Sequence, residues 1–125
     1  MREPLRILAI EDDPDLSYLY ESFLEAEGHQ VVAARNGAEA LAGLERRPDL
    51  VLLDLMLPDT DGYTILRHMR ANPALRRTPV IVISAAIPPG RHRIAGADAV
   101  IHKPFEFEGL LRAIEGVQHH ALATG

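Results

Sequence analysis

Residues 50–54 read LVLLD, four aliphatic residues followed directly by an aspartate. A short apolar run without polar alternation is typical of a strand whose two faces are both covered by helices. Comparable runs occupy 5–10 and 79–83, and weaker ones 30–34 and 99–102. Segments with helical spacing separate these runs, so the sequence predicts an α/β fold with a doubly wound, five-stranded parallel sheet.

The intervening segments predict about five helices. The first begins at Pro14 with Asp13 as its cap, and Gly28 follows its end. The fourth is short or irregular, because only ten residues separate Ala85 from Gly96 and they include a Pro-Pro-Gly sequence. Helices two, three and five are expected after 36–37, from about 61 to 72, and over about 107–117. The predicted inward residues are Leu16, Leu19, Tyr20, Phe23 and Leu24 on the first helix, Leu41 and Leu44 on the second, Ile65, Leu66 and Met69 on the third, and Phe107, Leu110, Leu111, Ile114 and Val117 on the last.

Length and composition favour one globular domain over 1–125, with a core at about 5–118 and a loose tail at 119–125. The chain has 125 residues, of which 47% are hydrophobic, and no cysteine. Disulfides and thiolate metal sites are therefore excluded, and a cytoplasmic location is expected. The N-terminus fits neither a signal peptide nor a membrane span. A net charge of -5 argues against direct binding of nucleic acid, and no membrane partner is expected.

Arginines recur at 67, 70, 76, 77, 91 and 93. Such a run allows a local basic face, although charge runs are usually solvated surface. We interpret these arginines as solvated.

Polar residues follow four of the predicted strands. They are the pair Glu11-Asp12, Asp54, Ser84 and the pair Lys103-Pro104. In open α/β sheets, ligands bind at the carboxyl ends of the strands, beside the point where strand order reverses. With the strand order 2-1-3-4-5, all of these residues meet at one edge. Three carboxylates suit Mg²⁺ or another divalent cation such as Mn²⁺, while the hydroxyl and the ammonium suit a phosphoryl group.

Four stretches in order, ILAIEDDPDL, VLLDLMLPDTDGYTILRHMR, PVIVISA and GADAVIHKPF, resemble the receiver domains of two-component response regulators, a CheY-like superfamily. The resemblance implies a flavodoxin-like fold with strand order 2-1-3-4-5. It implies Asp54 as phosphoacceptor and metal ligand, Asp12 as a direct metal ligand, and Glu11 as a ligand through water. It further implies Met56 as a ligand through its backbone carbonyl, Ser84 and Lys103 as contacts of the phosphoryl group, and a cis bond before Pro104.

The function implied by the resemblance is a phosphorylation-dependent signalling switch. A sensor histidine kinase or a histidine phosphotransfer protein would donate a phosphoryl group from phosphohistidine to Asp54, and the product would bind a downstream protein target. The chain would not be an enzyme beyond its own phosphoryl transfer and slow dephosphorylation. It ends soon after the last helix, so a stand-alone receiver is expected.

Two positions depart from the family pattern. Where receivers commonly carry Tyr or Phe as part of the switch, this chain has Val100, which excludes a ring movement there. The segment 86–95 is short, which alters a surface that many receivers use for signalling. We therefore expect output through another face, such as the first or fifth helix, or a homodimer through a nonstandard face. Met56 and Ala86 offer no polar side chain to orient water, which predicts slow dephosphorylation.

Three other functions are compatible with parts of the pattern. A phosphorylation-independent interaction module is supported by Val100 and the short segment, whereas the complete acidic site opposes it. A magnesium-dependent phosphohydrolase is disfavoured because Met56 lies where such enzymes place a second aspartate. A flavin mononucleotide binder is disfavoured because EDDPD would repel phosphate. We predict that Gly62 serves backbone geometry and that His102 is a packed or surface residue.

Overall fold

The computed structural model describes the backbone of residues 3–124 and the side chains of residues 3–118. Five parallel strands form one sheet in the order β2-β1-β3-β4-β5, which confirms the predicted topology. The chain order is β1 (Arg6–Ile10), α1 (Pro14–Ala26), β2 (Gln30–Ala34), α2 (Gly37–Leu44), β3 (Leu50–Leu53), α3 (Gly62–Ala71), β4 (Val80–Ser84), β5 (Ala99–His102) and α4 (Phe107–Thr124).

The strands bury both faces of the sheet, and successive residues enter opposite layers. One layer packs alternate residues of the central strands against α2 and α3, and the other packs the remaining ones against α1 and α4. Each aliphatic side chain buried in this way contributes roughly 1.5–3 kcal/mol. The three central strands are almost fully buried, which explains why their sequences lack polar alternation.

The helix starts follow local sequence signals. Asp13 caps α1 by accepting from the Asp15 N–H at 3.0 Å, Pro14 begins the helix, and Gly28 follows it at a φ of 95°. Asn36 caps α2 and Asp61 caps α3 in the same manner. Two predicted core residues are wrong, since Leu19 is 47% and Leu41 is 42% exposed. Ser17 and Ala40 are buried on those helices instead, because the face that each helix turns toward the core includes small residues that the apolar spacing did not count.

The fourth predicted helix was expected to be short or irregular, and the structure confirms an irregular segment there, so the described residues contain four helices. Residues 85–98, called here the β4–β5 segment, form bends and turns around Pro88-Pro89-Gly90. Two of its side chains, Ile87 and Ile94, still enter the core, so the segment covers the sheet without helical backbone. The fifth helix predicted from the sequence is therefore α4, the last helix of the structure.

The last helix extends further than the apolar pattern indicated, because its backbone is helical to Thr124. The side chains from 119 onward and residue 125 lie outside the described part, so the loose tail at 119–125 stays a prediction. Within the described residues, none of the helices combines the length and the apolar character needed to cross a bilayer.

Candidate phosphoryl-transfer site

Five side chains meet at the carboxyl edge of the sheet, as the sequence predicted, and are called here the polar cluster. Glu11 and Asp12 follow β1, Asp54 follows β3, Ser84 ends β4 and Lys103 follows β5. The order in which strands are added to the sheet reverses between the neighbouring strands β1 and β3. The carboxyl ends of these two strands therefore form the topological switch point of the sheet. The backbone fixes the cluster through bonds from the Glu11 N–H to Ala34 O, from the Asp54 N–H to Ile10 O and from the Lys103 N–H to Ser84 O, at 2.9, 3.1 and 3.1 Å.

Asp54 lies at the centre of the polar cluster. Lys103 Nζ donates to Asp54 Oδ2 at 2.6 Å, and Ser84 Oγ donates to Asp54 Oδ1 at 2.8 Å. The Met56 N–H also donates to Asp54 Oδ1, at 3.0 Å. Asp54 is only 5% and Ser84 0% exposed. The carboxylate is therefore held in one orientation by three donors from three parts of the chain.

Lys103 bridges two buried carboxylates. Its Nζ donates to Glu11 Oε1 at 2.7 Å as well as to Asp54. Burial alone would lower the pKa of Lys103, but the hydrogen bonds to Asp54 and Glu11 outweigh it and raise the pKa above its ordinary 10.5. Glu11 is 1% exposed, and burial raises its pKa above the usual 4.5 even though Lys103 opposes this change. Both pKa values rise, because the Lys103 ammonium is stabilised by two carboxylates, whereas Glu11 shares that single cation with Asp54.

Three carboxylates of the polar cluster converge as a metal would require. One oxygen from each of Glu11, Asp12 and Asp54 lies within 4.8 Å of the others. Asp12 is exposed, while Glu11 and Asp54 are buried. Hard oxygen ligands that leave room for water and phosphate suit Mg²⁺, so the residues present fit this ion.

An aromatic cluster supports the loop that carries Lys103. The peptide bond between Lys103 and Pro104 is cis, as expected. Phe105 then stacks on Tyr20 of α1 with 6.2 Å between ring centroids, and Phe107 lies 5.4 Å from Phe105 and 4.5 Å from Phe23. These rings fix where the chain leaves the polar cluster and joins α4.

Gly62 approaches the backbone beside Asp54, which confirms a geometric role and shows its cause. A Cβ atom at this position would lie 2.5 Å from Asp54 O and 2.6 Å from Leu55 Cα. The Gly62 N–H donates to Leu55 O at 2.7 Å. Only glycine allows the start of α3 to lie directly against the loop that presents Asp54.

The structure places the altered switch position beside the β4–β5 segment. Val100 is paired with Val82 and packs, partly buried, against the core layer that includes Ile87 and Ile94. His102 is half-buried, and its Nε2 lies 3.4 Å from Pro88 O, in agreement with a packed or surface role.

Sequence reasoning missed the role of Asp59, which joins the loop after Asp54 to α2. Its Oδ1 accepts from the Gly37 N–H at 2.6 Å and its Oδ2 from the Ala38 N–H at 3.2 Å. A carboxylate is favourable at a helix N-terminus because the free N–H groups there carry partial positive charge. The Pro-Asp-Thr-Asp sequence gave no sign of this bond, since its partner is 22 residues away.

Asp59→Asn should weaken the acid sensitivity of folding. The hydrogen bond from Gly37 is the main reason that the pKa of Asp59 lies below its usual 3.8. The stabilisation it provides is fully present above pH 3.8 and is lost as the pH falls through the lower folded-state pKa. The unfolding free energy, measured with urea between neutral and strongly acidic pH, should therefore fall less steeply for the variant than for the wild type. If the unfolding free energies of the variant and the wild type fell equally with pH, the Asp59 carboxylate would not provide this stabilisation.

Comparison with known proteins agrees with this geometry. Residues 7–115 match the response regulator receiver domain family. The chain belongs to this family. It is 33% identical to the polar-differentiation response regulator DivK of Brucella anthropi over 90% of the chain and 94% of DivK. It is 36% identical to the transcriptional regulatory protein TrcR of Mycobacterium tuberculosis over 91% of the chain, but spans only 45% of TrcR.

Solved structures show the same receiver fold. A CheY-like receiver domain from Methanospirillum hungatei aligns with a TM-score of 0.85 at 28% identity, covering 98% of this chain and all of that one. The receiver domain of a Pseudomonas aeruginosa sensor histidine kinase aligns with a TM-score of 0.80 at 32% identity, covering 95% and 98% of the two chains. That structure has a magnesium ion coordinated in its active-site cleft. Receiver membership and the flavodoxin-like fold, both expected from the sequence, are thus confirmed.

Proposed function

We propose that this receiver domain is a switch phosphorylated on Asp54 by a phosphohistidine of a sensor histidine kinase or a histidine phosphotransfer protein. The single observation that carries the proposal is the contact set of Asp54, whose oxygens accept from Lys103, Ser84 and the Met56 N–H. These donors surround the place where a phosphoryl group joined to Asp54 would put its oxygens. Phosphorylation is then a local change of charge that alters binding of a downstream protein target.

The chain's own residues supply positioning and charge. Attack by an Asp54 oxygen on phosphorus forms the acyl phosphate while the bond from phosphorus to the donor histidine nitrogen breaks. No base is needed, since a carboxylate nucleophile has no proton to lose as it attacks. Lys103 exchanges its bond to Asp54 for one to a phosphoryl oxygen and Ser84 donates to another, so the negative charge of the transferred group is stabilised.

A divalent ion completes the proposed site. Glu11, Asp12 and Asp54 would hold Mg²⁺ or Mn²⁺, with Glu11 acting through water and Met56 contributing its backbone carbonyl. When bound, the ion supplies positive charge that offsets repulsion between the carboxylates and the incoming phosphate. The chain acts on itself in this reaction, so we propose a signalling module rather than an enzyme with a separate substrate. A homodimer through a nonstandard face and a cytoplasmic location stay predictions from the sequence.

The test is phosphorylation with a small donor. Incubation with acetyl phosphate and Mg²⁺ should add one phosphoryl mass to the wild type and none to Asp54→Asn, and a chelator should abolish the addition. Asp59→Asn serves as a control, because it removes a neighbouring carboxylate that has no part in the transfer. Failure of the wild type to accept phosphate, both from acetyl phosphate and from a panel of histidine kinases, would instead support a phosphorylation-independent interaction module.

The phosphorylated form should be long-lived. Met56 is 61% exposed beside the site and Ala86 is also exposed, yet neither can orient an attacking water molecule. We expect Met56→Asn to shorten the half-life by about tenfold, because its amide can position water. Leu19→Asn is the matched control, an exposed apolar residue away from the polar cluster. Loss of the phosphoryl group from the wild type within seconds of donor removal would refute this prediction.

A further inference from the structure

Charge is strongly divided along this chain. Residues 62–97 contain six arginines and no Asp or Glu, whereas all eighteen acidic residues and the other seven cationic ones lie outside this range. The range therefore carries a formal charge of +6 and the remainder -11, in a protein whose total is -5. A basic region of this kind in an acidic protein attracts an acidic partner and orients it before contact.

The structure gathers part of this charge around a cleft between α3 and the β4–β5 segment. The cleft encloses about 520 Å³. We call it the arginine cleft and define it by Tyr63, Leu66, Arg67, Arg91, Arg93 and Ile94. It opens where the β4–β5 segment lacks a helix, and it is separate from the polar cluster.

The arginines of the region differ in what they already bind. Arg70 is committed to the fold, since its guanidinium donates to Gly96 O, Arg76 O, Thr78 O and Asp98 Oδ2 at 2.8–3.0 Å. Within the part of the chain that the structure describes, Arg67 donates to Thr64 Oγ1 alone, at 3.2 Å. Among the described residues, Arg91 and Arg93 are exposed and have no side-chain partner. Arg70 thus fastens the β4–β5 segment to α3, and the guanidinium groups of Arg67, Arg91 and Arg93 remain available to a ligand.

The floor of the arginine cleft is apolar. Leu66 is 3% and Ile94 7% exposed, and the Tyr63 ring is 37% exposed at the wall. An apolar floor with cationic walls suits a chain segment that alternates carboxylates with apolar side chains. The guanidinium fork matches a carboxylate with two parallel hydrogen bonds, and the tyrosine adds contact area.

We propose that the arginine cleft is a docking site for an acidic, partly apolar segment of a partner protein. This surface differs from the first and last helices that the sequence suggested for output. A nucleic acid fits less well, because the -11 charge on the rest of the molecule repels a polyanion that extends beyond the cleft. The proposal does not depend on phosphorylation, so its failure and that of the proposed switch are distinguishable.

The test is a selection of short random peptides, displayed on phage, on the immobilised full chain. Selected peptides should be acidic and contain apolar residues, and fluorescence anisotropy of the labelled peptides should give the affinities. The double variant R91E/R93E should weaken binding at least about tenfold. R76E/R77E makes the same change of charge at exposed arginines outside the cleft and should weaken binding less than about threefold.

Several results would overturn the proposal. One is an equal loss in both double variants, which would show that net charge alone acts. Another is a selection that yields no acidic peptide sensitive to R91E/R93E. A third is a single-stranded oligonucleotide that binds more tightly than the peptides and is released by R91E/R93E. The last is sedimentation showing a self-association of the wild type that R91E/R93E abolishes, because the occupant would then be a second copy of this chain.

Discussion

Lys103→Met should cost about 3 kcal/mol of unfolding free energy at neutral pH, because it leaves two buried carboxylates without their cation. Lys103 Nζ lies 2.7 Å from Glu11 Oε1 and 2.6 Å from Asp54 Oδ2, and these carboxylate side chains are 1% and 6% exposed. Methionine keeps the length and the apolar stem of the lysine, so loss of charge is the main change. Urea unfolding at fixed ionic strength measures the effect.

The pH dependence gives this prediction a second readout. Burial already raises the pKa of Glu11 above 4.5, and removal of Lys103 should raise it further. A group whose pKa is higher in the folded state than in the unfolded state favours folding as it takes up its proton. The difference in unfolding free energy between the wild type and Lys103→Met should therefore become smaller as the pH falls from the raised folded-state pKa of Glu11 toward 4.5. In the wild type, the stabilisation from Lys103 is present below pH 10.5 and is lost as the pH rises through its raised folded-state pKa.

Arg6→Met is the matched control for Lys103→Met. Arg6 Nε lies 3.7 Å from Asp49 Oδ2 in an ion pair whose side chains are 58% and 45% exposed. Water screens such a pair, so its loss should cost less than about 1 kcal/mol. Adding Mg²⁺ should recover part of the stability of Lys103→Met, since a divalent ion among the carboxylates replaces the missing charge. Equal losses of unfolding free energy in the two variants would show that burial does not increase the contribution of the Lys103 ion pairs to stability.

Much of this architecture could be predicted because the central strands are covered on both faces. The four consecutive residues Leu50–Leu53 are all buried, so this stretch is uniformly apolar instead of alternating with polar residues. Asp54 then ends the apolar run at the edge of the sheet. The same signal located Glu11, Ser84 and Lys103. The topology brings these ends together, so residues far apart in the sequence were predicted to meet without any knowledge of their contacts.

What escaped prediction depends on pairings between distant parts of the chain. The resemblance to receiver domains implied Glu11 as a metal ligand through water, but it did not reveal the direct bond from Lys103. The bonds from Asp59 to α2 and from Arg70 to four oxygens likewise join segments whose separation is set by tertiary packing. The exposure of Leu19 and Leu41 shows a different error, in which helical spacing of large apolar residues assigned exposed leucines to the core and overlooked small buried residues such as Ser17.

Gly62→Ala should destabilise the protein by about 2–3 kcal/mol, because the added methyl group meets backbone rather than a flexible side chain. The two nearest atoms, Asp54 O and Leu55 Cα, would lie at 2.5 and 2.6 Å. Relief requires either α3 or the loop after β3 to move, and that loop carries Asp54. We therefore expect slower phosphorylation by acetyl phosphate even under conditions in which the variant is fully folded.

Gly116→Ala separates this steric effect from the general effect of adding a methyl group to a helix. Gly116 lies within α4, and among the described residues no atom other than its chain neighbours and the adjacent backbone of the same helix lies within 4 Å of the position of an added Cβ. This substitution should stabilise the protein by roughly 0.5–1 kcal/mol, because alanine loses less backbone entropy than glycine in a helix. If Gly62→Ala instead matched the wild type in both unfolding and phosphorylation, the contact between α3 and the Asp54 loop would not constrain the site. If it lost stability but kept its phosphorylation rate, the movement would be confined to α3, and the three donors to Asp54 would position it without the contact from Gly62.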